Sequence, residues 1–279
     1  MNGVVVGVDE STTAQDALRW AHAYGGLRQQ PVTALMAWDY IGQRHADGTP
    51  FDPKYSPEVA DQELGKLVER ALGPDSGVVR VATLDKPEAA LQEASTTADL
   101  VVVGARGLGG FRGLLLGSVS RSVLHHAECP VAVVRGEATD LAGPIVVGIN
   151  GSEHAERALQ WAAAFAAESG RRLIVVWAWQ VPIVGGPFYP IALDYEGVAQ
   201  EAASGLHHAV EAAQITGVDV DERPLEGQPA AQILSTAENE GASLLVVGAR
   251  GATNLTARLL GSVSDQVVQH ATVPVVVVP

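Results

Sequence analysis

The sequence has a single cysteine, two methionines, few aromatic residues, and only 18 lysines and arginines against 32 aspartates and glutamates. Each shortage excludes something. Cys129 has no partner for an internal disulfide, so the sequence reads as that of a protein from a reducing, cytoplasmic compartment. Set between Glu128 and Pro130 with no cation beside it, it reads as a buried structural thiol and not as a nucleophile. A net charge of −14 opposes binding to nucleic acid and to anionic lipid, and an anionic ligand would have to be held by local geometry. No apolar run approaches the roughly 18 residues of a spanning helix. Met1-Asn2-Gly3 runs directly into Val4-Val5-Val6, so neither a membrane span nor a signal peptide is expected. What the sequence does have is apolar: 47% of its 279 residues are hydrophobic, enough to build real cores. At roughly 150 residues per domain, the length suits about two of them.

Those two are copies of one another. Val5-Val6-Gly7-Val8-Asp9-Glu10-Ser11 matches Val146-Val147-Gly148-Ile149-Asn150-Gly151-Ser152, and Ala17-Leu18-Arg19-Trp20-Ala21 matches Ala158-Leu159-Gln160-Trp161-Ala162, both at an offset of 141. Val102-Val103-Gly104-Ala105-Arg106-Gly107 matches Val246-Val247-Gly248-Ala249-Arg250-Gly251 at an offset of 144, as Leu116-Gly117-Ser118-Val119-Ser120 does Leu260-Gly261-Ser262-Val263-Ser264. An offset that grows by only three residues marks a tandem repeat. The expected domains are 1–136 and 144–279, joined by the short polar stretch from Gly136 to Pro144.

Within the first copy, strand and helix patterns alternate. Strands are expected at Gly3–Val8, Val32–Trp38, Val78–Ala82, Leu100–Gly104 and Val131–Val134, and helices at Thr12–Gly25, Pro57–Leu72, Pro87–Ala94 and Ser118–His126. Short, continuously apolar strands point to a parallel sheet buried on both faces, that is, to an α/β fold. Such sheets bind ligands at the carboxyl ends of their strands, where the strand order reverses.

The strongest motif lies after the fourth strand. Gly104-x-x-Gly107, nine residues, then Gly117-Ser118 recurs as Gly248-x-x-Gly251, nine residues, then Gly261-Ser262. Each copy follows an apolar strand and opens a helix pattern, the context that gives such a motif meaning. One reading is an anion cradle. Gly104 and Gly107 would take positive φ and approach a ligand, while the unpaired N–H groups of the helix and the Ser118 and Ser120 hydroxyls would meet phosphate oxygens. The other reading is a tight turn with serine as a helix cap. It is not a Walker loop, because glycine precedes Ser118 and Ser262, and the only lysines are Lys54, Lys66 and Lys86 of the first copy. Arg106, Arg112, Arg250 and Arg258 are the cations in the two loops, as ligand contacts or as solvated loop residues.

Val-Gly-Val-Asp-x-Ser at the first strand, Ala-Leu-x-Trp-Ala on the first helix, the G-x2-G-x9-G-S loops and the closing Cys-Pro-Val-Ala-Val-Val and Val-Pro-Val-Val-Val-Val resemble a tandem universal stress protein over nearly the whole chain. The resemblance implies two Rossmann-like, adenine nucleotide alpha-hydrolase-like domains, each a five-stranded parallel sheet of order 3-2-1-4-5, and, in the ATP-binding branch, an ATP site at the motif. Carried over, Asp9 meets the ribose or adenine edge and Ala37 meets adenine through its backbone. Gly104 and Gly107 pass under ribose and phosphates, and Gly117, Ser118, Val119 and Ser120 hold the phosphates, with Mg²⁺ arriving on them. The second-copy equivalents are Ala178, Gly248, Gly251, Gly261, Ser262, Val263 and Ser264. The departure is Asn150 in place of Asp9: an amide for a carboxylate costs the second site about 1–2 kcal/mol if the ribose hydroxyls are its partners. Both sites are expected to bind, the first more tightly.

The remaining features are weaker. His125-His126 and His207-His208 have too few companions for a metal site, and the first pair suits an exposed helix C-terminus. Trp20 and Trp161 are expected in the core. The long loops after the second strands (39–56 and 180–197) are read either as lids or as aromatic subunit contacts. The last strands of the copies are apolar edges that need a cover. The resemblance implies that they pair with each other as a pseudo-dimer, and association of two whole chains stays open. The expected function is regulatory binding of an adenine nucleotide, with an unnamed protein partner. A slow ATPase or nucleotidyl transferase and a nucleotide-free interaction module are the alternatives.

Overall fold

A computed structural model describes residues 1–38, 56–107, 116–136, 141–180, 195–251 and 260–279. The first repeat runs β1 (Val4–Gly7), α1 (Thr12–Arg28), β2 (Val32–Trp38), α2 (Pro57–Leu72), β3 (Val79–Leu84), α3 (Pro87–Ser95), β4 (Leu100–Gly104), α4 (Ser118–His126) and β5 (Val131–Val134). The second runs β6 (Ile145–Ile149), α5 (Glu153–Ser169), β7 (Leu173–Trp179), α6 (Tyr195–Ala212), β8 (Val220–Glu226), α7 (Pro229–Asn239), β9 (Leu244–Gly248), α8 (Ser262–His270) and β10 (Val275–Val278). All ten strands form one sheet in the order β3-β2-β1-β4-β5-β10-β9-β6-β7-β8. Each half is therefore a parallel sheet of order 3-2-1-4-5, as expected.

The apolar strands explain the layering. Val4, Val6, Leu100 and Val102 face α1 and α2 through Leu18, Trp20, Leu64 and Leu67, whereas Val5, Val101 and Val103 face α3 and α4 through Leu91, Val123 and Leu124. A strand buried on both faces has no polar side to offer, which is why these segments read as unbroken apolar runs. The outer strands differ. Val79 and Leu84 of β3 are more than half exposed, and β3 ends two residues beyond its expected limit because an edge strand carries no such run. Helix α1 also outlasts its expected end at Gly25. That glycine sits inside the helix because an added Cβ would lie 2.5 Å from Val32 Cγ2, and the helix stops at Gln29, which adopts φ 53°.

The repeats join through their last strands. β5 and β10 pair antiparallel, Val133 opposite Val275 and Val131 opposite Val277, so each covers the other's apolar edge. Above this seam α1 meets α5. Tyr24 stacks on Trp20 (5.1 Å between ring centroids) and on Trp161 (6.2 Å) and tilts against Phe165 (5.0 Å). Trp161 is thus a half-buried contact between repeats, while Trp20 is fully buried. Arg28 reaches across to Glu168 with contacts of 2.5 and 2.7 Å. The result is a pseudo-two-fold dimer inside one chain. The loop stretches 39–55 and 181–194, read above as lids or contacts, lie outside the described residues.

Candidate functional site

In each repeat the first strand lies between the second and the fourth, so the crevice at their carboxyl ends is the place where strand order reverses. Asp9 follows β1, Ala37 lies near the end of β2, and Gly104 ends β4. Asn150, Ala178 and Gly248 hold the same places in the second repeat.

Asp9 is oriented by its own chain. Its Oδ1 accepts from Ser11 N–H at 3.0 Å and from the Ser11 hydroxyl, while the Ser11 hydroxyl also accepts from Ala14 N–H as the cap of α1. Its Oδ2 is turned toward Gly107, where an added Cβ would lie 2.6 Å from it. The loop is drawn in from the other side by Thr13, whose hydroxyl donates to the Arg106 carbonyl. The second repeat rebuilds this. Asn150 Oδ1 accepts from Ser152 N–H at 3.2 Å, its Nδ2 faces Gly251 (3.0 Å to an added Cβ), and the Ser152 hydroxyl donates to Arg250 O at 3.4 Å. Asp9 and Asn150 thus present an acceptor and a donor, respectively, at matching positions. Ser11, Thr13 and Ser152 were missed as positioning residues. The signal for Ser11 and Ser152 was the Asp-x-Ser and Asn-x-Ser spacing, a side chain that caps its own turn, whereas the reach of Thr13 to Arg106 has no local pattern.

The glycines are present for room. None of Gly104, Gly107, Gly117, Gly248, Gly251 and Gly261 has positive φ, contrary to the expectation for the first two. A Cβ at Gly104 would lie 2.8 Å from the Thr13 backbone, and one at Gly248 would lie 2.7 Å from that of His154, so β4 and β9 need glycine to let the first helix of each repeat come close. Gly117 is different. A Cβ there would meet Arg106 Cα at 3.5 Å, an ordinary contact, so the fold itself does not demand glycine.

Gly117 and Gly261, not serine, are the caps of α4 and α8, both in extended conformation and without a capping side chain. The first N–H groups of each helix are therefore not met by a cap, the condition that makes a helix N-terminus receptive to anions. Ser118 and Ser262 are exposed at the first helical position, and Val119 and Val263 are half-buried against the core. Ser120 and Ser264 correct an expectation. Both are buried, and their hydroxyls donate to Gly104 O (2.7 Å) and Gly248 O (2.6 Å), tying each helix to the end of its strand. A buried hydroxyl must spend its proton on the nearest carbonyl, so these two shape the cradle instead of lending it a hydroxyl.

Arg106 lies close enough to Arg135 to help burial lower the Arg135 pKa. His154 is lowered by burial, then by Arg157 and Arg250. Arg112 and Arg258 lie outside the described residues. Away from the crevice, burial pushes the Cys129 thiol up to about 11, which leaves it inert at neutral pH. His207 contacts Glu211 and Glu222. Among the described residues no three His, Cys, Asp or Glu side chains are grouped to hold a metal, and no helix is long and apolar enough to cross a membrane.

The comparisons with known proteins agree with this architecture. A universal stress protein of Mycolicibacterium smegmatis is 34% identical over 99% of this chain and 96% of its own. The crystal structure of a universal stress protein from Archaeoglobus fulgidus shares the fold, with a TM-score of 0.67 at 22% identity over 99% of this chain and 95% of that one. A structure described as a universal stress protein in complex with cAMP covers half of this chain and 99% of its own, at 28% identity and a TM-score of 0.41. The sequence model of the universal stress protein family matches residues 1–135 and again 142–279. With the family model matched twice along its length and the doubled strand order 3-2-1-4-5, the chain belongs to the universal stress protein family.

Proposed function

We propose that each repeat binds an adenine nucleotide, ATP in the first instance, and that occupancy serves a regulatory purpose in the stress response. The observation that carries this reading is the uncapped N-terminus of α4 and of α8, each opening from a glycine, with Gly107 lying against Asp9 and Gly251 against Asn150 at the end of the fourth strand of each repeat. The helix N–H groups suit phosphates, Mg²⁺ would arrive with them, and the Asp9 carboxylate suits ribose hydroxyls. Gly117 supports the reading further, since a Cβ there would make only ordinary contacts and packing alone does not require glycine. In this scheme Ala37 and Ala178 meet the base, Gly104, Gly107, Gly248 and Gly251 floor the site, and Gly117 through Ser120 and Gly261 through Ser264 supply backbone N–H groups. The Asp9 carboxylate lies at the ribose end, away from the γ-phosphate, so the scheme is one of binding without turnover.

Calorimetric titration of the nucleotide-stripped chain with MgATP tests it. Two binding events are expected, and Gly117→Val and Gly261→Val should each remove one while leaving the other. A wild-type chain that gives no binding heat and no thermal stabilisation with MgATP would refute the reading.

A further inference from the structure

The second cradle is held from the first repeat. Leu260 directly precedes Gly261, and its N–H donates to Nδ1 of His125, at 3.2 Å and 135 residues away, near the C-terminus of α4. Further along α8, Arg135 donates from Nη2 to the Val268 carbonyl at 2.8 Å. Both side chains belong to the first repeat, and both grip the helix whose first turn forms the second cradle.

Among the described residues the grip runs one way. At the repeat offset of 144, Gln269 stands where His125 stands and Pro279 where Arg135 stands. Gln269 donates to Asp265 on its own helix at 2.6 Å. Pro279 has no side-chain donor, and its carbonyl accepts from Arg157 of its own repeat at 2.7 Å. The pseudo-two-fold axis therefore relates positions that carry different chemistry. His125 is half-buried at this contact, not the exposed helix-end residue that the sequence suggested.

We infer that His125 is a positioning residue for the second nucleotide site, an inference that rests on the nucleotide reading above. Binding at a helix N-terminus needs the entering backbone held so that the first N–H groups face the ligand, and fixing Leu260 beforehand lowers the ordering cost of binding. By accepting the Leu260 N–H, His125 Nδ1 holds the chain at the point where it turns into Gly261 and the receptive N–H groups of α8. The ring proton then resides on Nε2. The site in one repeat is completed by a side chain of the other, and among the described residues the second site depends in this way on the first repeat.

The test uses the full chain, MgATP as the probe, and amide NMR signals of Val119 and Val263 to follow the two sites separately. His125→Leu removes the acceptor while keeping bulk, and His125→Asn restores one, because Asn Oδ1 occupies the branch position of Nδ1. The expected result is a loss of roughly two- to tenfold in affinity at the second site for the leucine variant, the size of one hydrogen bond. The first site should be unchanged, most of the affinity should return in the asparagine variant, and Leu260 amide exchange should be faster only in the leucine variant. Three results overturn the role: equal second-site affinity in His125→Leu and wild type, equal loss at both sites, or no recovery with asparagine. If neither loop of the wild-type chain responds to MgATP, the nucleotide reading falls and this role with it. Exchange at Leu260 would then show separately whether the His125 bond exists.

Discussion

Exchanging Asp9 and Asn150 should exchange the strengths of the two sites. In both repeats the Oδ1 atom is used locally, by Ser11 in one and by Ser152 in the other, so the atom turned toward the loop decides what a ligand meets. In the first repeat that atom is a carboxylate oxygen, in the second an amide NH₂. A ribose hydroxyl donating to a carboxylate gains about 1.5–3 kcal/mol, against about 0.5–1.5 kcal/mol for a neutral pair. The difference of about 1–2 kcal/mol is roughly 5- to 30-fold in Kd at 25 °C. Asn150→Asp should therefore tighten the second site by that factor, and Asp9→Asn should weaken the first by the same factor. The double exchange should give back two sites of unequal strength with their places reversed. Calorimetry on the full chain, with each variant also carrying Gly117→Val or Gly261→Val to leave one site, separates them. If Asn150→Asp leaves the second site unchanged or weaker, the assignment of this residue to the ribose is wrong.

Three further outcomes follow from the packing. Gly104→Ala and Gly248→Ala place a Cβ within 2.8 and 2.7 Å of the backbone of α1 and α5, and each should lower stability by about 1–3 kcal/mol in denaturant unfolding. Tyr24→Ala empties the aromatic contact that joins the repeats, where Tyr24 is 1% exposed, and should cost about 3–5 kcal/mol in the same assay. Cys129, with its pKa raised to about 11 by burial, should react with a thiol reagent at pH 8 only after denaturation, as followed by mass spectrometry.

The buried half of each sheet was legible because period and length carry the signal. β2, β4 and β5 fall on their expected limits, and α2 and α4 do so because Pro57 and the Gly117-Ser118 step mark their starts. Errors arose where one residue serves two purposes. Gly25 looked like a helix stop but is a close-packing residue, and β3 carries too few buried side chains to announce its end. At the site, spacing identified which residues gather, and Asp9 and Gly107 do lie against each other. It did not show why glycine stands there, because lack of room and positive φ leave the same residue in the sequence. Nor did it separate Ser118 from Ser120, since burial follows from how α4 sits on β4. The bond from Leu260 to His125 joins segments 135 residues apart across the seam, and no local pattern foretells it.

The most direct measurement is the nucleotide content of freshly purified protein, released by denaturation and quantified by chromatography and mass spectrometry. The account predicts about one to two equivalents of ATP per chain, the shortfall from two lying at the Asn150 site. Protein that releases no adenine nucleotide, and whose unfolding temperature does not rise with MgATP, would contradict it.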